Sequence, residues 1–170
     1  MSRAFVKEQD GDVPEERLPD RQISDHPNYV TPAGLRQLEQ RVGELEERRL
    51  ELLAAAQDEG SLAAEQLAYV DRDLRYITKR LDTAIVVKPS GQPRRMVKFG
   101  AAVTVVEPDG SSRTFTIVGE DEADLTAGKI SYVSPLAEAL LDARVGASVR
   151  WRRPKGDRDL TIEAIDYPEE

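Results

Sequence analysis

Three carboxylates lie close together in the sequence at a break between two helical patterns. Asp58 and Glu59 precede the break, and Glu65 follows it about one helical turn later. Carboxylate oxygens are the ligands that Mg²⁺ prefers, so these side chains are candidates to help hold such an ion at a protruding tip. An adjacent Asp-Glu pair is also common on charged surfaces, so a solvated acidic helix end explains the same residues. Residue types alone favour this simpler explanation.

Basic side chains recur along both helical patterns. Many have an acidic neighbour at helical spacing, such as Glu44 with Arg48, so ordinary pairing on a solvated face is one interpretation. The other is a basic strip that faces RNA or an acidic groove. On the second helix the strip comprises Arg72, Arg75, Lys79 and Arg80.

Several classes of chemistry are excluded by composition. The chain has no cysteine and one histidine, His26, so a thiolate site, a Cys-His pair and a histidine metal cluster cannot form. Its net charge of −8 is unlike that of a free-standing nucleic-acid binder, which needs a basic footprint. We therefore expect a protein partner with a partly basic surface. No apolar run reaches the roughly 20 residues of a membrane span and no signal-peptide core is visible, so a soluble, cytoplasmic protein is expected.

The elements that must position these residues follow from periodicity. Residues 1–30 are charged and rich in proline, which predicts a disordered or extended tail. Residues 31–86 predict an antiparallel coiled-coil hairpin, because apolar side chains recur every three or four residues on both sides of a short connection. Residues 87–96 read as a linker. Residues 97–168 alternate like strands around one short helix, which predicts a small domain and an α+β fold class.

Some segments resemble a known family. A hairpin opening with Tyr29-Val30-Thr31-Pro32-Ala33-Gly34-Leu35, followed by Gly119-Glu120-Asp121-Glu122 and Ser134-Pro135-Leu136-Ala137, is similar to the GreA/GreB transcript-cleavage elongation factors. The similarity covers about residues 29–167 and implies an FKBP-like C-terminal domain that docks at the rim of the secondary channel of bacterial RNA polymerase. The hairpin would enter that channel. The resemblance also implies that Ser134, Pro135 and Leu136 lie in the docking surface, with Asp121 and Glu122 on a neighbouring loop.

The hairpin tip departs from the family pattern. There the family has Gly, Asp, any residue, Ser, Glu and Asn, whereas this chain has Ser61 at the Asp position and Ala64 at the Glu position. The hairpin is also shorter by roughly a dozen residues, about 9 Å per arm. We therefore expect a polymerase-binding regulator, like the short-armed Rnk-like relatives, with weak or no stimulation of cleavage. The alternative is an active cleavage factor in which Asp58, Glu59 or Glu65 helps hold a Mg²⁺ ion shared with the polymerase.

Two further classes are open from the sequence. An FKBP-like domain can be a prolyl isomerase, but that activity needs an aromatic-lined pocket. The candidate aromatic residues of the domain are Phe99, Phe115, Tyr132, Trp151 and Tyr167. A coiled-coil dimerisation module is the other class, although each arm can cover the apolar seam of its neighbour, so a monomer is expected. We expect neither a cofactor of its own nor an enzymatic activity of its own. Contact with nascent RNA or DNA is expected only inside the polymerase complex.

Overall fold

The computed structural model describes residues 17–56 and 61–168 and has a helical hairpin followed by a small sheet domain. The α+β class expected from the sequence is confirmed. None of the helices in these two ranges is long and apolar enough to cross a membrane. The elements, in chain order, are β1 Tyr29–Val30, α1 Pro32–Ala55, α2 Leu62–Asp82, β2 Ile85–Val86, β3 Ala102–Val106, β4 Ser112–Val118, β5 Lys129–Ser131, α3 Pro135–Leu140, β6 Ser148–Trp151 and β7 Arg158–Asp166.

The hairpin is built from α1 and α2, and its ends are set by capping residues. The Thr31 hydroxyl accepts a hydrogen bond from the Gly34 amide at 2.9 Å, which makes Thr31 the N-cap of α1. Along α1 the buried seam is Leu38, Leu45 and Leu52, which lie seven residues apart as a coiled-coil seam requires. Helices of 24 and 21 residues are about 36 Å and 31 Å long.

The sheet domain holds the main hydrophobic core. Its five strands have the order β5-β4-β3-β7-β6, with β4 and β5 parallel and the other pairs antiparallel. Alternate side chains of β3 are buried, and α3 adds Leu136, Ala137 and Leu140 to the same core. The predicted alternation and the short helix are therefore both confirmed.

A two-stranded parallel ribbon joins the hairpin to this domain. Strand β1 enters α1, strand β2 leaves α2, and Tyr29 pairs with Ile85 while Val30 pairs with Val86. The tail expected over residues 1–30 therefore ends in a strand, because Asn28 and Val30 accept backbone hydrogen bonds from Ile85 and Val87 at 2.8 and 2.9 Å. The ribbon holds both ends of the hairpin at one point.

Candidate functional site

The tip of the hairpin is described only from its second arm onward. Asp58 and Glu59 lie outside the described residues. Glu65 is an exposed side chain in the first turn of α2, which begins where the Ser61 hydroxyl accepts a hydrogen bond from the Ala64 amide at 3.2 Å. Within residues 17–56 and 61–168, no three His, Asp or Glu side chains gather as metal ligands. The hypothesis of a Mg²⁺ ion at the tip therefore stays a prediction.

The predicted basic strip is divided by the structure. Arg75 and Lys79 line a groove of about 730 Å³ between the two arms. Arg72 lies close to Asp73 at 3.4 Å, with its guanidinium 5.2 Å from the centre of the Tyr69 ring. Arg80 does not belong to an outward strip, since it is only 2% exposed.

Cations and carboxylates both line the groove. Besides Arg75 and Lys79 it is lined by Glu46, Arg49, Leu50, Leu74, Thr78 and Asp82. Arg49 already pairs with Asp71 at 2.6 Å across the two arms. Arg49 therefore has its carboxylate partner on the other arm, which is a different contact from the pairing along one helix that the sequence suggested.

Arg80 faces the loop Glu120–Glu122, a single 3₁₀ turn between β4 and β5. Its Nε donates to Asp121 Oδ2 at 2.5 Å, and its Nη2 lies 3.5 Å from Glu120 Oε2. Tyr76, one turn earlier on α2, donates its hydroxyl to Asp121 Oδ1 at 2.7 Å. Burial, followed by this hydrogen bond, raises the pKa of Tyr76 to about 12.

The next residue of the loop contacts the start of the first arm. Glu122 is buried, accepts a hydrogen bond from Thr31 at 2.5 Å, and pairs with Lys129 at 3.1 Å. A Cβ atom added to Gly34 would lie 2.6 Å from Glu122 Oε2, and one added to Gly119 would overlap the carbonyl oxygen of Tyr29. The two glycines therefore let the loop and the hairpin approach closely.

The side chains expected to dock on a partner differ in exposure. Pro135 is exposed, and Ser134 is half-buried and accepts from the Ala137 amide at 3.3 Å as the N-cap of α3. Leu136 is only 4% exposed and belongs to the domain core, so its expected place in a docking surface is wrong. Its apolar side chain points inward because the first turn of α3 packs on the sheet.

Sequence reasoning missed an exposed leucine beside the acidic loop. Leu125 is 80% exposed, in a turn held by Asp124, whose carboxylate accepts from both the amide and the hydroxyl of Thr126. These hydrogen bonds hold the pKa of Asp124 below its usual value. The Asp-Leu-Thr order is a recognisable turn signal that could have located this loop.

The described part of the N-terminal segment also contacts the second arm. Asp20 accepts from Arg75 Nε at 2.6 Å, and Arg75 donates a further bond to the Leu18 carbonyl at 3.1 Å. The guanidinium of Arg21 lies 4.0 Å from the centre of the Tyr76 ring. Residues 17–26, which we name the strap, therefore cover part of the face that was expected to be a free basic strip.

The aromatic side chains of the domain are packed. Phe99 and Tyr132 form a cluster with Tyr29 of β1, with ring centres 5.5 to 5.9 Å apart. Phe115 lies in the core, and the Tyr167 hydroxyl donates to the Met96 carbonyl at 2.6 Å. These side chains stabilise contacts between elements of the fold. They give no support to the isomerase hypothesis.

Comparison with known proteins identifies the family. Residues 92–167 match the model of the C-terminal region of the GreA/GreB transcription elongation factors. Transcription elongation factor GreB of Neisseria meningitidis serogroup B is 35% identical over 153 residues, which span 82% of this chain and 94% of the relative. Transcription elongation factor GreA of Oceanobacillus iheyensis is 32% identical over 151 residues, covering 81% and 96%. The chain belongs to the GreA/GreB family of transcription elongation factors.

Solved structures give more distant likenesses. GreA factor homolog 1 of Thermus thermophilus is 24% identical with a TM-score of 0.40, covering 83% of this chain and 99% of its own. A GreA/GreB elongation factor from Nitrosomonas europaea is 22% identical with a TM-score of 0.41, covering 82% and 98%.

Proposed function

We propose that this protein is a regulator of transcription elongation that binds bacterial RNA polymerase and stimulates transcript cleavage weakly or not at all. The sheet domain would dock at the rim of the secondary channel, and the hairpin would enter the channel. The named GreA and GreB relatives support the elongation role. The first turn of α2 carries the finer claim, because Ser61 and Ala64 stand where the family resemblance implies an Asp and a Glu.

The geometry of that turn makes it unfavourable for Glu65 to take over the role of the glutamate that the family resemblance implies at position 64. The Ser61 cap starts the helix at Leu62, so Ala64 and Glu65 are both helical. Neighbouring helical residues project about 100° apart, so Glu65 points away from the direction that a side chain at position 64 would take. A carboxylate that must reach a metal ion tolerates much smaller errors.

The length of the hairpin and the exposed apolar side chains of the domain suit a protein that acts by binding and not by catalysis. Within residues 17–56 and 61–168 no three His, Asp or Glu side chains gather, and we propose no step through an ion that this chain holds. Arms of about 36 and 31 Å give the hairpin the length to occupy a channel. Exposed Pro135 and Leu125 supply apolar surface on the domain for a protein partner.

The test is RNA shortening in a backtracked elongation complex, measured beside binding to the same polymerase. We expect binding with little shortening. Adding the two acids as Ser61→Asp with Ala64→Glu should increase shortening, and Asp is itself a good N-cap, so the helix start is preserved. Gln37→Glu with Gln40→Glu adds the same two negative charges at exposed positions of the first arm and is the control for altered charge.

Each result separates the hypotheses. Strong shortening by the wild-type protein that disappears in Asp58→Ala with Glu59→Ala, or in Glu65→Ala, would establish the cleavage-factor alternative. Exposure of Glu65 is the observation that favours this alternative. Failure to bind polymerase at all would remove the proposed function.

A further inference from the structure

The acidic loop Glu120–Glu122 contacts both arms of the hairpin at once. Asp121 contacts the end of α2 through Arg80 and Tyr76, and the next residue, Glu122, contacts Thr31 at the start of α1. A single contact would let the hairpin swing about it. Two contacts on different arms, made by neighbouring residues of one short turn, restrain its direction.

Arg80 is the most deeply placed part of this arrangement. Its guanidinium is 2% exposed, and its backbone carbonyl accepts from the Asn28 side-chain amide at 2.6 Å. A buried arginine without its carboxylates would be an uncompensated charge in a low-dielectric site. The free energy therefore strongly favours the state in which Asp121 stays against α2.

A partner's cations would have to compete with contacts already made. Asp121 has both carboxylate oxygens bonded within the chain, and Glu122 is bonded by Thr31 and Lys129. Moving Asp121 toward an external surface would take from Arg80 its closer carboxylate and leave it Glu120 at 3.5 Å. Moving Glu122 would break its pair with Lys129. These two acids, which the family resemblance places beside the docking surface, are committed to the hairpin.

Resting on the proposed function, we infer that Arg80, Asp121 and Glu122 are positioning residues that set the direction in which the hairpin leaves the docking domain. They act on transcription by aiming the hairpin into the channel, and not by contacting polymerase. Direction matters because of leverage: a swing of about 10° displaces the far end of a roughly 36 Å arm by about 6 Å.

The experiment measures hairpin direction in the free, full-length protein. The chain has no cysteine, so Ala54→Cys near the tip and Thr161→Cys on β7 would carry the only two spin labels. Both positions are exposed. The distribution of distances between the labels is recorded by pulsed electron resonance, and polymerase affinity is measured on the same preparations.

We expect a narrow distribution for the wild type and a broader or shifted one for Asp121→Asn and for Glu122→Gln, by about 5 Å or more from the same leverage. Asp121→Glu keeps the charge and should restore the narrow distribution. Glu138→Gln removes an exposed carboxylate from α3 and should leave it unchanged. Circular dichroism checks folding, and Arg80→Lys replaces any of the acidic variants that fails to fold.

Affinity separates positioning from direct contact. Asp121→Asn should weaken polymerase binding together with the change in distance distribution. Weaker binding with an unchanged, narrow distribution in the free protein would overturn the inference and make Asp121 a contact residue. If the wild type does not bind polymerase, the proposed function fails, while a broadened distribution would still establish that the acidic loop sets the direction of the hairpin.

Discussion

Two arginines five residues apart on α2 make the same kind of bond in different surroundings. Arg75 donates to Asp20 of the strap at 2.6 Å, and Arg80 donates to Asp121 of the acidic loop at 2.5 Å. Arg75 is 29% exposed and Asp20 faces solvent, whereas Arg80 is 2% exposed and the Asp121 side chain 18%. Exposed ion pairs contribute little because water and salt screen them, but removing one partner of a buried pair is costly. Burial, and not bond length, separates the two contacts.

The surroundings of each pair reinforce the contrast. We call the contact region between the hairpin and the domain the joint; it comprises Arg80, the acidic loop Glu120–Glu122 and the ribbon of β1 and β2. The rings of Tyr29, which belongs to this ribbon, Phe99 and Tyr132 pack against one another. The strap contacts α2 mainly through exposed side chains. Local opening should therefore need far less free energy at the strap than at the joint.

The largest expected difference between the two ion pairs is in stability, and replacing each arginine in turn tests it. Arg80→Met should lower the free energy of unfolding by on the order of 3 kcal/mol, because the buried carboxylates lose their cation. Arg75→Met should change it far less. Urea denaturation of both variants measures the difference, and equal losses would show that burial does not control the value of these pairs.

A pair of glycines in α1 gives the next largest contrast. Gly34→Ala places a Cβ atom 2.6 Å from Glu122 Oε2 and should destabilise the protein by about 1–3 kcal/mol through overpacking. Gly43→Ala on the same helix meets no atom within 4 Å and should stabilise it by about 0.5–1 kcal/mol through helix propensity. Thermal unfolding of the two variants checks the signs. A stable Gly34→Ala would mean that Glu122 can move away from the hairpin.

The sequence predicted the regular parts of the molecule well. Thr31 before Pro32 located the start of the hairpin, and the spacing of Leu38, Leu45 and Leu52 predicted a seam between two helices. These signals are local, since capping and periodicity depend on residues a few positions apart. The short helix α3 was predicted for the same reason.

The candidate site was harder to predict because its contacts are distant in sequence. Arg80 follows Lys79 and looks like another surface cation, and only the fold brings it to Asp121, 41 residues later. Thr31 and Glu122 are 91 residues apart. The sequence indicated that the acidic loop matters, but not that its side chains turn toward the hairpin. Leu136 was misplaced because helical position alone does not show which face packs on a sheet.

A smaller effect is expected at Tyr76, which tests the edge of the joint. Tyr76→Phe removes one hydrogen bond to Asp121 while Arg80 keeps the other, so the loss should be about 1 kcal/mol at neutral pH. Because the pKa of Tyr76 is raised to about 12, its stabilising effect is fully present below the unfolded pKa of about 10 and is lost as pH rises through about 12. The wild type should therefore lose part of its free energy of unfolding as the pH rises from about 10 to about 12, and the Tyr76→Phe variant should lack this loss. An identical alkaline profile in both proteins would contradict the burial of this phenol.

The smallest effect on global stability is expected for a substitution of Asp20. The same substitution tests whether the strap can open while the rest of the protein stays folded. The hydrogen bond from Arg75 holds the pKa of Asp20 below its usual value, so the contact is present above that usual value and is lost as pH falls through the lowered one. Asp20→Asn should leave the urea midpoint unchanged but speed trypsin cleavage after Arg17 and Arg21, because opening the strap exposes these sites without unfolding the joint. Asp25→Asn changes the same charge in the same segment and should not alter cleavage. If Asp20→Asn instead lowered the urea midpoint, the strap and the joint would open together. The ion pairs of Arg75 and Arg80 would then both contribute to global stability, in spite of their different burial.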